Sequence, residues 1–338
     1  MSLLITSTGK SAGKTMVGLG IGQHYPGKVG FFKPLGTNLD QGIDEDVMLF
    51  RDVFKLEEDP QLFTLSQNYD RIIHDLKKTD FTAVLKTRYT QLSRGKDFMI
   101  TETAHTVSYG SYTGLSAPQI ASVLNCPGLL IAEGTPEKIV DKSIIADHCF
   151  NVKGAHLMGV VINKASTCEK EAQLQERGIS VLGIIPESTA LKTPRCEDIL
   201  DSLDGELIAG EEGLSKKVET TVVGAMTYDT AQRTLQRMEF PQHSVMVTGG
   251  NRADMQLLAF DIKSSLLVLT GDTYPSVAVL AKADELEIPV IMVTYDTMTA
   301  ASRCEETTAR LTSAHAPLIK ELVAQHVDLE RIFEAAEK

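Results

Sequence analysis

The sequence predicts an α/β protein of two domains, the first a parallel sheet with helices on both faces and the second a smaller α/β unit. Three observations predict it. Runs of aliphatic and β-branched residues recur at 3–6, 29–32, 98–101, 128–132, 157–163 and 181–186, separated by helix-sized segments. Runs that are apolar on both faces belong to buried parallel strands, because crossover helices cover both sides of such a sheet. A polar, acidic stretch with three glycines follows at 201–217 (DSLDGELIAGEEGLSKK). It reads as an interdomain connector or a loop-rich tail of the first domain. A second series of apolar runs then begins at 218–226, 244–248, 265–270 and 288–293, the last leading into a helical stretch that ends near residue 338. Domains are therefore expected at 1–205 and 218–338, and 338 residues suffice for two.

Composition narrows the function classes. Hydrophobic residues make up 43 % and charged residues 23 %, so real cores are expected. A formal charge of −12 lacks the basic footprint of a general nucleic-acid binder. No apolar run reaches the roughly 18 residues of a membrane span. The chain opens directly into a strand rather than a charged leader, so a cytoplasmic location and no membrane partner are expected. Cys126, Cys149, Cys168, Cys196 and Cys304 are scattered and lack C-x-x-C spacing, which reads as reduced thiols.

The strongest local signal is Thr8-Gly9-Lys10-Ser11-Ala12-Gly13-Lys14-Thr15. It matches G-x-x-x-x-G-K-[ST] except at the first position, where Thr8 replaces glycine. A buried strand precedes it and a helix follows. Gly9, Lys10, Ser11, Ala12 and Gly13 supply successive backbone N–H groups that curve around phosphate oxygens, aided by the partial positive charge of the helix N-terminus. Lys14 is expected on the β- and γ-phosphates and Thr15 on Mg²⁺, which makes ATP with Mg²⁺ the expected ligand.

Other residues at strand ends extend this site, since ligands of open α/β sheets sit beyond the carboxyl ends of the strands. Lys33 ends the second strand before Pro34 and offers a second ammonium. Asp44, Glu45 and Asp46 open the next helix, where a carboxylate serves either Mg²⁺ or the helix dipole. Glu102 ends a buried strand, an expensive place for a carboxylate unless it is paired or metal-bound. Asn163 ends another, its amide suited to an adenine edge or to an ordinary turn. His105 reads either as an acid–base group near the γ-phosphate or as a solvated loop residue. Arg252, after Thr248-Gly249-Gly250-Asn251, suits a small anion or a local salt bridge equally.

These motifs together resemble dethiobiotin synthetase and its relatives among the P-loop amidoligases. The resemblance rests on the threonine-led loop ending in G-K-T and on Phe32-Lys33-Pro34 followed by Thr37. It also rests on Asp46, on a strand ending in Glu102, on Asn163 and on Gly183-Ile184-Ile185-Pro186. It implies a P-loop NTPase-like first domain with Lys14 and Lys33 on phosphates, in the catalytic role if there is chemistry. It places Thr15, Asp46 and Glu102 near Mg²⁺, with Thr37 and Asn163 at the nucleotide. Where that family has glycines after the glutamate, this chain has Thr103, Ala104 and His105, so the family's diamino-acid substrate is not implied.

The second domain resembles a DRTGG domain through Val223-Gly224-Ala225-Met226, 247–254 (VTGGNRAD) and Leu269-Thr270-Gly271-Asp272. The late segments Ile288-Pro289-Val290 and Asp296-Thr297 complete the pattern, although the literal D-R-T-G-G string is absent. This domain order resembles the N-terminal, regulatory half of long bacterial phosphotransacetylases, without room for the acetyl-transfer domain. The resemblance implies a nucleotide-responsive regulator whose DRTGG-like domain binds a small molecule or forms a homo-oligomer. An ATP-dependent ligase, carboxylase-type enzyme or ATPase acting through a phosphorylated intermediate stays open beside it.

Overall fold

The computed structural model describes residues 1–36, 39–40, 42–66, 73–74, 80–167, 170–225, 230, 233 and 243–337. Contacts divide the chain into one unit of residues 1–187 with 311–338 and a second of residues 188–310. No helix among the described residues is long and apolar enough to cross a membrane. Cys126, Cys149, Cys196 and Cys304 are free thiols, and Cys168 lies outside the described residues.

The first unit opens with β1 (Ser2–Ser7), α1 (Lys14–His24), β2 (Val29–Phe32), a small hairpin of β3 (Leu39–Asp40) and β4 (Ile43–Asp44), and α2 (Glu45–Phe54). It continues with α3 (Phe81–Leu92), β5 (Phe98–Glu102), α4 (Ala117–Leu124), β6 (Gly128–Ala132), α5 (Pro136–Val152), β7 (Leu157–Asn163), α6 (Glu171–Glu176) and β8 (Val181–Ile185). Six strands form one sheet in the order β2-β5-β1-β6-β7-β8, every pair parallel. β2, β5, β6 and β7 are buried at every residue, as their unbroken apolar runs require. The chain leaves β1 toward β2 on one side and leaves β6 toward β7 on the other. The loops after β1 and β6 therefore border the switch point where such sheets bind ligands.

Helix α1 carries Gly18, Gly20 and Gly22, although each interior glycine costs a helix about 0.5–1 kcal/mol relative to alanine. Close packing explains them. A methyl on Gly18 would lie 2.9 Å from Ile5, and one on Gly22 would lie 2.7 Å from Phe54. At Gly20 the methyl would lie 2.3 Å from Val323.

Val323 belongs to the chain's C-terminal segment, which corrects the expected boundaries of 1–205 and 218–338. Residues 311–338 return to the first unit. Val327 bridges to Gly183 on the edge strand β8, and the Asp328 amide donates to the Leu182 carbonyl at 2.8 Å. The helical pattern alone does not reveal this return, because partner choice depends on a glycine surface about 300 residues earlier in the chain.

The second unit contains α7 (Thr189–Lys192), α8 (Cys196–Leu203), β9 (Glu206–Ala209), β10 (Thr220–Val223), β11 (Ser244–Gly249) and α9 (Ala253–Asp261). It ends with β12 (Leu266–Thr270), α10 (Val277–Glu285), β13 (Val290–Val293) and α11 (Thr297–Glu306). The sheet order is β10-β11-β12-β13-β9, with β9 antiparallel to β13 and the other pairs parallel. Alternation along β11 feeds two cores. Val245 and Val247 meet Cys196, Ile199, Ala300 and Cys304 on one face, while Met246 meets Met255, Leu258 and Val279 on the other.

The expected connector at 201–217 is thus part of the second sheet. The glycines that read as linker signals sit where a neighbouring segment leaves no room for a side chain. A methyl on Gly205 would lie 2.4 Å from Ile291, and one on Gly210, which has φ 72, would lie 2.1 Å from the Ile288 carbonyl.

The helix contact gives a direct test. Gly20→Ala is expected to destabilise the protein by about 1–3 kcal/mol through overpacking, seen as a lower urea midpoint. Adding Val323→Ala removes the 2.3 Å contact but keeps the Val323 Cβ at 2.7 Å, whereas Val323→Gly removes both. The first should recover part of the loss and the second more of it. A Gly20→Ala protein as stable as the wild type would show that α1 and the C-terminal segment are not this close.

Candidate functional site

β1 delivers the chain to the segment that the sequence reads as a phosphate cradle. Gly13 adopts φ 94, a left-handed conformation open to glycine at little cost, and α1 begins just after it with no side-chain cap. The first-turn N–H groups of α1 are thus left for another acceptor. A Cβ at position 13 would lie 2.2 Å from the Asn163 side-chain nitrogen, so glycine is also required by space.

The loop's carbonyls are tied to their surroundings. The Gly9 carbonyl accepts from Ser7 Oγ at 2.7 Å, the Ala12 carbonyl from Asn163 Nδ2 at 2.8 Å and the Gly13 carbonyl from the Val17 amide at 3.0 Å. The Lys10 carbonyl accepts from Lys14 Nζ at 3.5 Å. A trans peptide places N–H opposite C=O, so the carbonyls held by Ser7 and Asn163 fix the direction of the N–H groups that follow them. Successive backbone N–H groups before a helix N-terminus are the kind of backbone that takes anions. Thr8 replaces glycine without strain because its hydroxyl is used: it accepts from the Glu133 amide at 3.3 Å.

Five charged side chains gather beneath this loop. Lys14 is 6 % exposed, and its ammonium donates to Ser7 Oγ at 3.1 Å and the His105 carbonyl at 3.0 Å. Burial lowers its pKa, and Glu102 opposes that shift. Thr15 Oγ1 donates to Glu102 Oε1 at 3.1 Å. Glu102 Oε2 is buried and finds no hydrogen-bond partner among the described residues. Burial raises the Glu102 carboxyl to about 8, with Asp46 adding to the shift. Lys33, at the end of β2, donates to Asp44 Oδ1 at 2.9 Å and also to Asp46. Burial works against the Lys33 ammonium, but Asp46, Glu102 and Asp44 outweigh it and raise its pKa. Asp44 is fully buried, and its Oδ1 also caps α2 by accepting from the Asp46 amide at 3.0 Å.

The donor set suits Mg²⁺ carried by a phosphate. The unpartnered buried oxygen of Glu102 beside the Thr15 hydroxyl is a hard-oxygen corner of the kind that ion uses. Among the described residues no group of three or more His, Cys, Asp or Glu side chains is spaced to hold a metal without other ligands.

The structure thus brings Lys14, Thr15 and Glu102 together, and joins Lys33 to Asp46. Gly9, Lys10, Ser11, Ala12 and Gly13 form the loop itself. Asn163 supports the loop through one N–H of Nδ2, which leaves its amide oxygen and its second N–H for a base. Thr37 lies outside the described residues. Sequence reasoning passed over Ser7 and Glu133, and it named Asp44 only as a helix opener. Their signal was weak: Ser7 and Asp44 end strands and Glu133 follows one, and only the pairing of strands shows what each faces. His105 has φ 45, and its ring packs edge-on against Tyr109 at 4.4 Å. Burial, Lys10, Lys14 and Lys33 all lower its pKa, so the ring is neutral near pH 7.

In the second unit Arg252 forms a two-point ion pair with Asp254, both contacts at 2.9 Å. A methyl on Gly250 would lie 1.9 Å from the Thr273 carbonyl. These observations favour the tight-turn reading of that motif over the anion reading.

Glu102 supplies a pH test. Its carboxyl titrates at about 8 in the fold, against about 4.3 in an unfolded chain. The folded state therefore holds a proton that the unfolded state releases. The associated stability is complete below the unfolded value and is lost as pH rises through 8. Without Mg²⁺ or nucleotide, the melting temperature should fall between pH 6 and 9, and Glu102→Gln should flatten that fall. An identical slope in the variant would sink the assignment.

Residues 1–195 match the family model for an AAA domain, and residues 198–307 match that for a DRTGG domain. The phosphate acetyltransferase of Synechocystis sp. is 25 % identical, the match covering 94 % of this chain and 48 % of that protein. The phosphate acetyltransferase of Nitratidesulfovibrio vulgaris is 24 % identical over 85 % of this chain and 42 % of that protein. The chain thus spans about half the length of the relatives it matches. Among solved structures, the Pyrococcus furiosus cell division ATPase MinD is 16 % identical, covering 56 % of this chain and 85 % of that one, with a TM-score of 0.37. With a model match over more than half of its length, the chain belongs to the AAA domain family, followed by a DRTGG domain in the order carried by long phosphate acetyltransferases.

Proposed function

We propose that the chain binds Mg²⁺-ATP at residues 8–15 and acts as a nucleotide-responsive regulator related to the N-terminal region of phosphotransacetylases. The observation that carries the binding claim is the unpartnered Glu102 oxygen beside the Thr15 hydroxyl, under a loop with its Gly9 and Ala12 carbonyls held by side chains. In this reading Lys14 holds the β- and γ-phosphates, Lys33 adds a second positive charge, and Thr15 with Glu102 holds Mg²⁺. Asp46 balances Lys33 and lies within electrostatic reach of Glu102. The Asn163 amide oxygen faces the base. Bound Mg²⁺ supplies charge neutralisation on the phosphates.

The regulatory part is supported by the match of the second unit to a DRTGG domain and by the domain order shared with phosphate acetyltransferases. That domain is assigned a small-molecule ligand or a homo-oligomeric contact, and light scattering showing a monomer at high concentration would remove the latter. A cytoplasmic location belongs to the same proposal. A second reading, an ATP-dependent ligase working through a phosphorylated intermediate, is favoured by the two buried lysines, Lys14 and Lys33, in one electrostatic cluster. Such paired cations clamp a transferring phosphoryl group.

Calorimetric titration with ATP and Mg²⁺ tests binding. Lys14→Ala removes a charge-assisted contact of about 1.5–3 kcal/mol, so Kd should rise about ten- to a hundredfold. Unchanged affinity in that variant would sink the proposal. Phosphate release that depends on an added carboxylate or amine would favour the ligase; binding with negligible turnover would favour the regulator.

A further inference from the structure

We propose that Lys142 and Lys164, with Glu133, are positioning residues that set the affinity of the loop for a polyphosphate without touching it. The inference rests on the nucleotide-binding reading and adds what tunes that site. Lys142 Nζ donates to the Thr8 carbonyl at 2.9 Å, and Lys164 Nζ donates to the Ser11 carbonyl at 2.8 Å. Lys164 also pairs with Glu133 Oε2 at 2.8 Å. Glu133 in turn donates its amide to the Thr8 hydroxyl, and a methyl on Gly9 would lie 3.0 Å from its Oε1. Ser7 and Asn163 take the Gly9 and Ala12 carbonyls. Four loop carbonyls are thus held by side chains from β1, the end of β7 and the helix after β6, while the Lys10 carbonyl meets Lys14 Nζ at 3.5 Å.

Magnitudes separate this role from ordinary stabilisation. The Lys164 and Glu133 side chains are 41 % and 26 % exposed, and pairs so open to solvent contribute little to folding. Yet Lys164 holds φ 59, an uncommon backbone state for a residue with a side chain, which persists where surrounding contacts over-determine it. An ammonium on a carbonyl also polarises the peptide, strengthening its N–H as a donor on the other side. The effect is directed at the loop's hollow, where a phosphate would sit.

The charges predict an asymmetry. Removing the Lys164 ammonium frees the Ser11 peptide and leaves the Glu133 carboxylate uncompensated beside Gly9. Removing only the Glu133 charge leaves Lys164 on the Ser11 carbonyl and takes a negative charge away from the phosphates. Lys164→Ala should therefore weaken Mg²⁺-ATP binding about tenfold, with Lys142→Ala acting in the same direction. Glu133→Gln should bind as tightly as the wild type or more tightly.

The experiment measures Kd for Mg²⁺-ATP, inorganic tripolyphosphate and adenosine with these variants and with Lys164→Arg, together with melting temperatures. Hydrogen exchange of the 9–13 amides in ligand-free protein is measured in parallel. Support is a weakening confined to the two phosphate-bearing probes, recovery in Lys164→Arg, melting within about 2 °C of the wild type, and faster exchange at 11–13 in Lys164→Ala. Unchanged Kd and exchange, weaker binding in Glu133→Gln, or losses that track melting temperature would overturn it. If the wild type binds no nucleotide, the reading of the site fails. Loop exchange then decides the brace, and unchanged exchange in both lysine variants overturns that too.

Discussion

The anchoring of the loop's carbonyls by side chains is the constraint on which the rest of the site depends. A glycine-containing loop of this length has many conformations, and a free chain would lose its N–H array to entropy. Here Ser7, Asn163, Lys142 and Lys164 each take a carbonyl, and Gly13 turns left-handed into an uncapped helix. The donors come from β1, the end of β7, and the helix after β6. The loop's shape is thus a product of the sheet order, which puts β6 and β7 next to β1 in space.

Beneath the loop, buried charge is tolerated because it is mutually compensated. Removing one partner of such a pair leaves an uncompensated charge and costs about 3–5 kcal/mol. Lys33 has Asp44 and Asp46, and Asp44 also caps α2. The N-terminus of that helix and the end of β2 are therefore held by one carboxylate. Glu102 is the exception: one oxygen takes the Thr15 hydroxyl and the other has no partner among the described residues. Burial keeps that carboxyl protonated below about pH 8 in the free protein, and a cation-bearing ligand would favour its ionised form.

The glycines show how one residue type serves opposite ends. At Gly13 glycine supplies a backbone angle, and at Gly20 it supplies room for Val323. At Gly205 and Gly210, within a stretch that looks like a linker, it lets a short strand approach β13. Composition reads Gly205 and Gly210 as flexibility, whereas at all four positions a side chain would meet a close neighbour.

The sequence by itself determined the strand runs, the parallel class of the first sheet and the strand–loop–helix setting of the motif that ends in Lys14 and Thr15. These signals are local: continuous apolar runs, and a motif whose chemistry lies within eight residues. It also pointed to Lys33, Asp46 and Glu102, since strand ends face the ligand edge of such a sheet. Only the tertiary structure decided that Asp44 shares Lys33, that Asn163 holds the Ala12 carbonyl, that β9 joins the second sheet and that residues 311–338 return to α1. Each of those is a pairing across tens to hundreds of residues. Periodicity says which face of an element is apolar; what covers that face is settled only when the whole chain is packed.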